Sequence, residues 1–225
     1  MKPMTDKHFA TLRRHMVEVV AIHTDLMEDE LGKPALNPPV LTAMLQVPRH
    51  LFVPEQLAPI AYDDRPLPIG FQKTISQPLM CALMTDLLAL EAHDVVLEVG
   101  TGLGYQTAIL AELATRIWSV EIVEELAESA RARLADLDYS NVEIRVGDGS
   151  RGWQEHAPYD KIIVAAAHEA VPRALLEQLR PGGRLVMPLG PDDAQELTLV
   201  SKDAAGNLHQ QEIMPVRFTR LETVL

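Results

Sequence analysis

Three glycines at alternate positions, Gly100, Gly102 and Gly104, follow the apolar run Val95-Val96-Leu97 and precede a helical stretch from Gln106 to Ala114. Between a strand and a helix, glycines let the backbone pass close to a ligand and leave helix-entry N–H groups facing it. The bland alternative is a tight turn that holds nothing. A dinucleotide fingerprint is G-x-G-x-x-G, and Tyr105 stands where its last glycine belongs. Glu98 lies two residues ahead of the turn, where a carboxylate repels a pyrophosphate but suits an ammonium or sulfonium centre. Glu121 closes the next strand, about 20 residues on, where an acid can accept from both hydroxyls of a ribose. Its alternative is a solvated carboxylate at a helix entry. Gly147-Asp148-Gly149 closes the third strand and, taken alone, is as good a turn as a ligand contact.

A second group surrounds Ser76. This serine precedes Gln77-Pro78 and an apolar run with Met80, Leu83, Met84, Leu87 and Leu88 at helical spacing. A serine there makes a good helix N-cap, worth roughly 1 kcal/mol. Its hydroxyl can also donate to a bound carboxylate without neutralising it. The eight histidines are scattered without H-E-x-x-H or similar spacing, so no metal is expected. Cys81, the single cysteine, reads as a small core residue or a lining of the ligand site. Trp118 and Trp153 read as packing, and His168-Glu169 as a surface loop at the ligand edge of a sheet.

The elements that must hold these residues alternate. Strands are expected at 95–97, 117–122, 142–146, 161–166 and 184–188, with helices at 106–114, 123–134 and 172–179 between them. This spacing implies a doubly wound, Rossmann-like α/β fold with a mostly parallel sheet covered on both faces. Glu196–Val200 and Gln211–Phe218 flank the turn-rich segment 203–207 and form an expected antiparallel C-terminal pair. Ahead of this core, helices are expected at 6–27 and 39–46. The proline-rich segment 49–76 reads as loop with short extended pieces, and a long irregular stretch in a compact protein is usually functional. The division expected is an N-terminal helical and lid segment, 1–76, packed on a core, 77–225, as one compact domain.

Composition narrows the partners. The chain has 225 residues with 32 acidic and 20 basic side chains, a formal charge of −12, and no Lys/Arg cluster to replace the counterions of a polyanion. No nucleic acid is expected. No apolar run approaches spanning length and the first residues lack an apolar leader core, so no membrane is expected either. One cysteine excludes an intrachain disulfide, and a reducing cytoplasm is the simplest setting.

The acid followed by G-x-G-x-G resembles the first motif of the class I S-adenosylmethionine methyltransferases. That resemblance implies S-adenosylmethionine held by Glu98, Gly100, Thr101, Gly102, Leu103 and Gly104. It places Glu121 on the ribose and Asp148-Gly149 at the adenine edge. More specific segments are Val47-Pro48-Arg49-His50-Leu51-Phe52-Val53-Pro54, Pro66-Leu67-Pro68-Ile69-Gly70 and Thr74-Ile75-Ser76-Gln77-Pro78. With Tyr159-Asp160-Lys161-Ile162-Ile163-Val164, Leu179-Arg180-Pro181-Gly182-Gly183 and Pro215-Val216-Arg217-Phe218, they resemble the protein-L-isoaspartate O-methyltransferase family from about residue 14 to 218. The resemblance implies repair of damaged proteins by methylation of the free carboxylate of L-isoaspartyl, and also D-aspartyl, residues. It assigns Ser76 to the active site and sets Thr74 and Ile75 beside the donor. Such an acceptor, with a pKa near 4, is ionised at neutral pH and needs no general base. Gln72, Lys73 and Leu103 depart from the family pattern and bear on donor affinity and acceptor preference. Two further readings stay open: a same-fold enzyme acting on another carboxylate of a peptide or small molecule, and a non-catalytic module that binds a partner protein.

Overall fold

In a computed structural model the described residues are 4–224, without the side chain of Glu30. The outermost ends of the expected 1–76 and 77–225 segments therefore lie outside the description. The N-terminal part comprises α1 (Asp6–Leu26), the single turn α2 (Glu28–Leu31) and α3 (Pro38–Gln46). Two 3-10 turns follow, at Arg49–Phe52 and Glu55–Ile60. The segment expected to be loop then forms an antiparallel hairpin of β1 (Leu67–Gly70) and β2 (Lys73–Ile75). At its tip Phe71 and Gln72 take positive φ, 52° and 58°. The hairpin was not legible because non-glycine residues rarely hold that conformation.

The remainder alternates as expected. α4 (Pro78–Leu88) leads into β3 (Val95–Val99), α5 (Tyr105–Ala111), β4 (Arg116–Glu121), α6 (Glu124–Asp136), β5 (Val142–Val146) and β6 (Tyr159–Val164). α7 (Arg173–Gln178), β7 (Leu179–Leu189), β8 (Gln195–Lys202) and β9 (Leu208–Val216) complete it. The sheet has the order β5-β4-β3-β6-β7-β8-β9, parallel from β5 to β7, with β8 antiparallel to both its neighbours. β7 is longer than expected because Pro181-Gly182-Gly183 lies within it. Leu179 pairs with Tyr159 and the register resumes at Arg184 opposite Lys161, so the intervening residues bulge.

Both faces of the sheet are covered, which explains the unbroken apolar runs. Successive side chains point to opposite layers. Val96, Ile163, Val186 and Leu197 pack in one cluster with α1, α3 and α4, while Leu97, Val99, Ile162, Val164, Leu185 and Met187 pack in the other with Leu175 and Trp153. The first cluster runs without a break from Met16 to Leu197, so the N-terminal helices share it with the sheet. No described helix is long and apolar enough to cross a membrane.

Candidate active site

After β3 the chain winds outward through β4 to β5, then crosses back to set β6 on the other side of β3. Open α/β sheets bind ligands at the carboxyl ends of the strands where the winding reverses. A crevice lies there, walled by Val99–Leu103 at the end of β3, Val120–Ile122 at the end of β4 and Ala165-Ala166 after β6. Gly100, Gly102 and Gly104 all take positive φ, at 94°, 56° and 95°. The left-handed trace carries the backbone along the crevice, and only glycine adopts it without strain.

Glu121 lies on the crevice wall. One carboxylate oxygen accepts from the Gly102 N–H at 2.8 Å and the other from the Val123 N–H at 3.0 Å. The turn's N–H that a phosphate would want is therefore taken by a carboxylate, which speaks against a pyrophosphate ligand. Each oxygen keeps a second lone pair for a hydroxyl donor.

Glu98 has a different role from direct contact. It is fully buried beneath the turn and off the crevice wall, with Thr107 and Ser119 hydroxyls each donating to Oε2 at 2.6 Å. Ser119 spends its one proton on Glu98, so in the 2.6 Å pair with Thr101 the threonine must be the donor. The carboxylate thus reaches the crevice through Thr101, which does line it. Burial pushes the Glu98 carboxyl up to about 7, against the lowering effect of its two hydroxyl donors.

Asp148 is also off the wall. Its carboxylate accepts from the Ser150 N–H and hydroxyl at 2.9 and 2.6 Å, and from the Val224 N–H at 3.0 Å. Burial raises its carboxyl, but these donors, with Arg151 nearby, outweigh that and hold it below the ordinary range. Gly149 does line the crevice, and it packs so closely on β3 that a Cβ would stand 2.2 Å from Val99 Cγ1. Leu103, nearly buried, forms part of the wall, whereas Gly104 lies under it against Leu134.

The hairpin and the C-terminal segment close the other sides. Thr74, Ile75 and Ser76 line the crevice from β2 onward. The cap expected of Ser76 falls elsewhere: Gln77 is the N-cap residue, and Asp64 accepts the Leu79 N–H at 3.1 Å and a Gln77 side-chain N–H at 3.0 Å. The Ser76 carbonyl is held by Arg49 Nη2 at 2.7 Å, while Arg49 Nε donates to the Ala61 carbonyl at 2.7 Å. Arg49 is itself fully buried, over the Tyr105 ring. Held by its backbone and not acting as the cap, Ser76 lines the crevice with a hydroxyl that makes no hydrogen bond among the described residues.

Residues 219–222 form a wall that sequence reasoning missed. Ala167 donates to the Thr219 carbonyl and accepts from the Leu221 N–H, both at 2.8 Å. Gln195 clamps Phe218 through both its N–H and its carbonyl. Lys73 on the hairpin pairs with Glu222 across the crevice mouth. A second groove, lined by Pro66, Gln77, Met80, Asp192, Gln195 and residues 214–220, meets the crevice at Thr74, Ser76, Ala165, Thr219 and Arg220. Cys81 lines the crevice, with its thiol pushed up to about 11 by burial. His168 stays in the loop after β6, and its ring bonds the Ala170 backbone. Trp118 and Trp153 pack edge to face, as expected of packing residues. No group of three side chains among the described residues is arranged to hold a metal ion.

The residues fit S-adenosylmethionine. The crevice offers a glycine trace with open backbone, a ribose-type acid in Glu121, apolar walls from Ile69, Leu103 and Ile122, and a buried Tyr105 hydroxyl that no described residue engages. Fold and site define an S-adenosylmethionine-dependent methyltransferase. The family model for protein-L-isoaspartate(D-aspartate) O-methyltransferase matches residues 22–224. A Polaromonas sp. protein named protein-L-isoaspartate O-methyltransferase 1 is 53% identical over 97% of this chain and 93% of its own. A Syntrophobacter fumaroxidans protein, named protein-L-isoaspartate O-methyltransferase 2, is 48% identical over 96% and 88%. A solved protein-L-isoaspartate O-methyltransferase superimposes with a TM-score of 0.79 at 26% identity, over 92% of this chain and 65% of that longer one. A Plasmodium falciparum structure in complex with S-adenosyl-L-homocysteine shares the fold, with a TM-score of 0.77 at 23% identity over 95% of this chain and 97% of its own. The chain belongs to the protein-L-isoaspartate O-methyltransferase family.

Proposed function

We propose that the chain methylates the free carboxylate of L-isoaspartyl residues in damaged proteins, a repair reaction. One observation carries this reading. The five residues shared by crevice and groove are two threonines, a serine, an alanine and an arginine, and the acid beside them, Asp192, is engaged by Arg220 rather than standing as a free base. An alcohol or amine acceptor needs its proton removed, whereas a carboxylate arrives ionised.

Gly100–Leu103 would hold the donor, with Glu121 placed to accept from its ribose, Gly149 at the adenine end with Asp148 behind it, and Thr74 and Ile75 on the facing wall. Bound there, S-adenosylmethionine supplies a sulfonium methyl group, which passes to an acceptor oxygen to leave a methyl ester and a thioether. The chain's own work is orientation. Ser76 donates its hydroxyl to one acceptor oxygen and leaves a lone pair of the other in line, the kind of alignment that proximity rewards strongly. The hairpin and residues 219–222 wall the junction on two sides. The N-terminal segment 1–76 supplies this acceptor-side wall, and the single unoxidised cysteine suits a cytoplasmic enzyme.

The test is transfer of labelled methyl to an isoaspartyl peptide, with its normal aspartyl twin as control. A base-labile product from the first peptide alone is expected, and turnover falls about tenfold or more in Ser76→Ala at unchanged melting temperature. Equal labelling of both peptides overturns the reading.

A further inference from the structure

Of the five residues that wall both cavities, Arg220 alone carries a charge. It is not a loosely placed surface arginine. The backbone on either side of it is pinned to Ala167 by the two 2.8 Å bonds from residues 219 and 221. Its side chain, 39% exposed, pairs with two exposed acids from different loops. Nε donates to Asp192 Oδ1 at 2.5 Å, and Nη2 lies 3.7 Å from Glu169 Oε1, an ion-pair distance beyond hydrogen bonding. Asp192 lines the same groove.

We propose that Arg220 is a specificity-determining residue that binds the acceptor carboxylate at this junction and makes the site selective for anionic acceptors. The inference rests on the acceptor reading above. Its chemistry follows from the donors that remain. Asp192 occupies Nε, which removes the side-on fork that grips both oxygens of a carboxylate at once. The Nη groups still carry N–H donors. A carboxylate held by one of these and by the Ser76 hydroxyl keeps its second oxygen free to accept a methyl group. Asp192 and, at ion-pair distance, Glu169 offset the guanidinium charge, so the carboxylate is held by directional N–H bonds without being fully quenched as a nucleophile.

The test is steady-state methyl transfer to the isoaspartyl peptide by the full chain and its Arg220→Gln, Arg220→Lys and Asp192→Asn variants. S-adenosylhomocysteine affinity is measured by calorimetry alongside. Arg220→Gln raises KM for the peptide by about tenfold or more, the scale of one lost charge-assisted hydrogen bond, and changes kcat less. The product's Kd stays within about twofold of wild type, since a uniform binding contact to the acceptor is what is lost. Arg220→Lys recovers part of the loss. Asp192→Asn removes a competing anion and lowers KM severalfold.

A merely structural role makes the opposite forecast. Arg220→Gln and Asp192→Asn break the same ion pair, so each would raise KM and each would weaken S-adenosylhomocysteine through the shared wall. That pattern, or an unchanged KM in Arg220→Gln, overturns the proposal. A wild type that ignores the isoaspartyl peptide overturns the acceptor reading, and this assignment with it. An active wild type with an indifferent Arg220→Gln overturns Arg220 alone.

Discussion

Replacing Gly149 with alanine isolates a purely steric demand, because the glycine's φ lies outside the left-handed region and alanine can adopt its backbone. The new Cβ would stand 2.2 Å from Val99 Cγ1, and a carbon pair needs about 3.5 Å or more. Turning Val99 to another rotamer relieves the nearest contact but still leaves its Cβ 3.3 Å from the same point, tighter than ordinary contact. Val99 is 2% exposed in a central strand, so the clash must be met either by driving its methyl into packed surroundings or by moving β3 or the turn. Overpacking of this kind costs about 1–3 kcal/mol. At this chain length, each kcal/mol lowers Tm by about 2–4 °C.

Val99→Ala alone removes two buried methyl groups and costs about 2 kcal/mol. Combined with Gly149→Ala, it clears the nearest contact, and the new methyl fills part of the cavity. The double variant should be more stable than the sum of the singles by about 1–2 kcal/mol. Both residues line the crevice, so donor affinity should follow the same pattern. Thermal unfolding of the four proteins, with calorimetric binding of S-adenosylhomocysteine, measures this. Strictly additive losses, or a Gly149→Ala protein as stable as wild type, refute the steric argument.

The Glu98 carboxyl makes stability depend on pH. Its folded value of about 7 lies above its ordinary 4.5, so between those values the folded state binds more protons than the unfolded one. This group's contribution is therefore fully favourable below about 4.5 and falls as pH rises through about 7, by up to about 3 kcal/mol. The melting temperature of Glu98→Gln relative to wild type should rise across that window, and a constant difference would contradict the assignment. At the crevice mouth, Lys73→Glu and Glu222→Lys should each speed dissociation of S-adenosylhomocysteine in stopped-flow measurements, severalfold and more at low salt. The double reversal should restore the wild-type rate, and its failure to do so would show that the pair does not act as a clasp.

How much of this was legible depended on the kind of signal. β3, β4, β5 and β6 carry apolar runs bounded by turn residues, and α4 and α6 carry helical spacing, so the winding and the glycine turn could be placed. The hairpin was hidden because its tip relies on Phe71 and Gln72 in a conformation that sequence patterns assign to glycine or asparagine. Residues 219–222 have no periodicity and owe their position to Ala167 and Gln195, partners more than 20 residues away. Glu98 was legible as important but not in its direction. A strand residue's facing depends on register, and here the acid points into the core toward Thr107 and Ser119. On its sequence alone Ser76 reads first as a helix cap, and the cap lies elsewhere because Asp64, twelve positions earlier in the chain, folds back onto the Leu79 N–H.

The wall formed by residues 219–222 has a bearing on truncation. A chain cut before Thr219 would possess the glycine turn, the ribose acid and Ser76, yet its donor trough would stand open on one flank. Every strand of the sheet ends at or before Val216, so the trough can be opened without removing any part of the sheet.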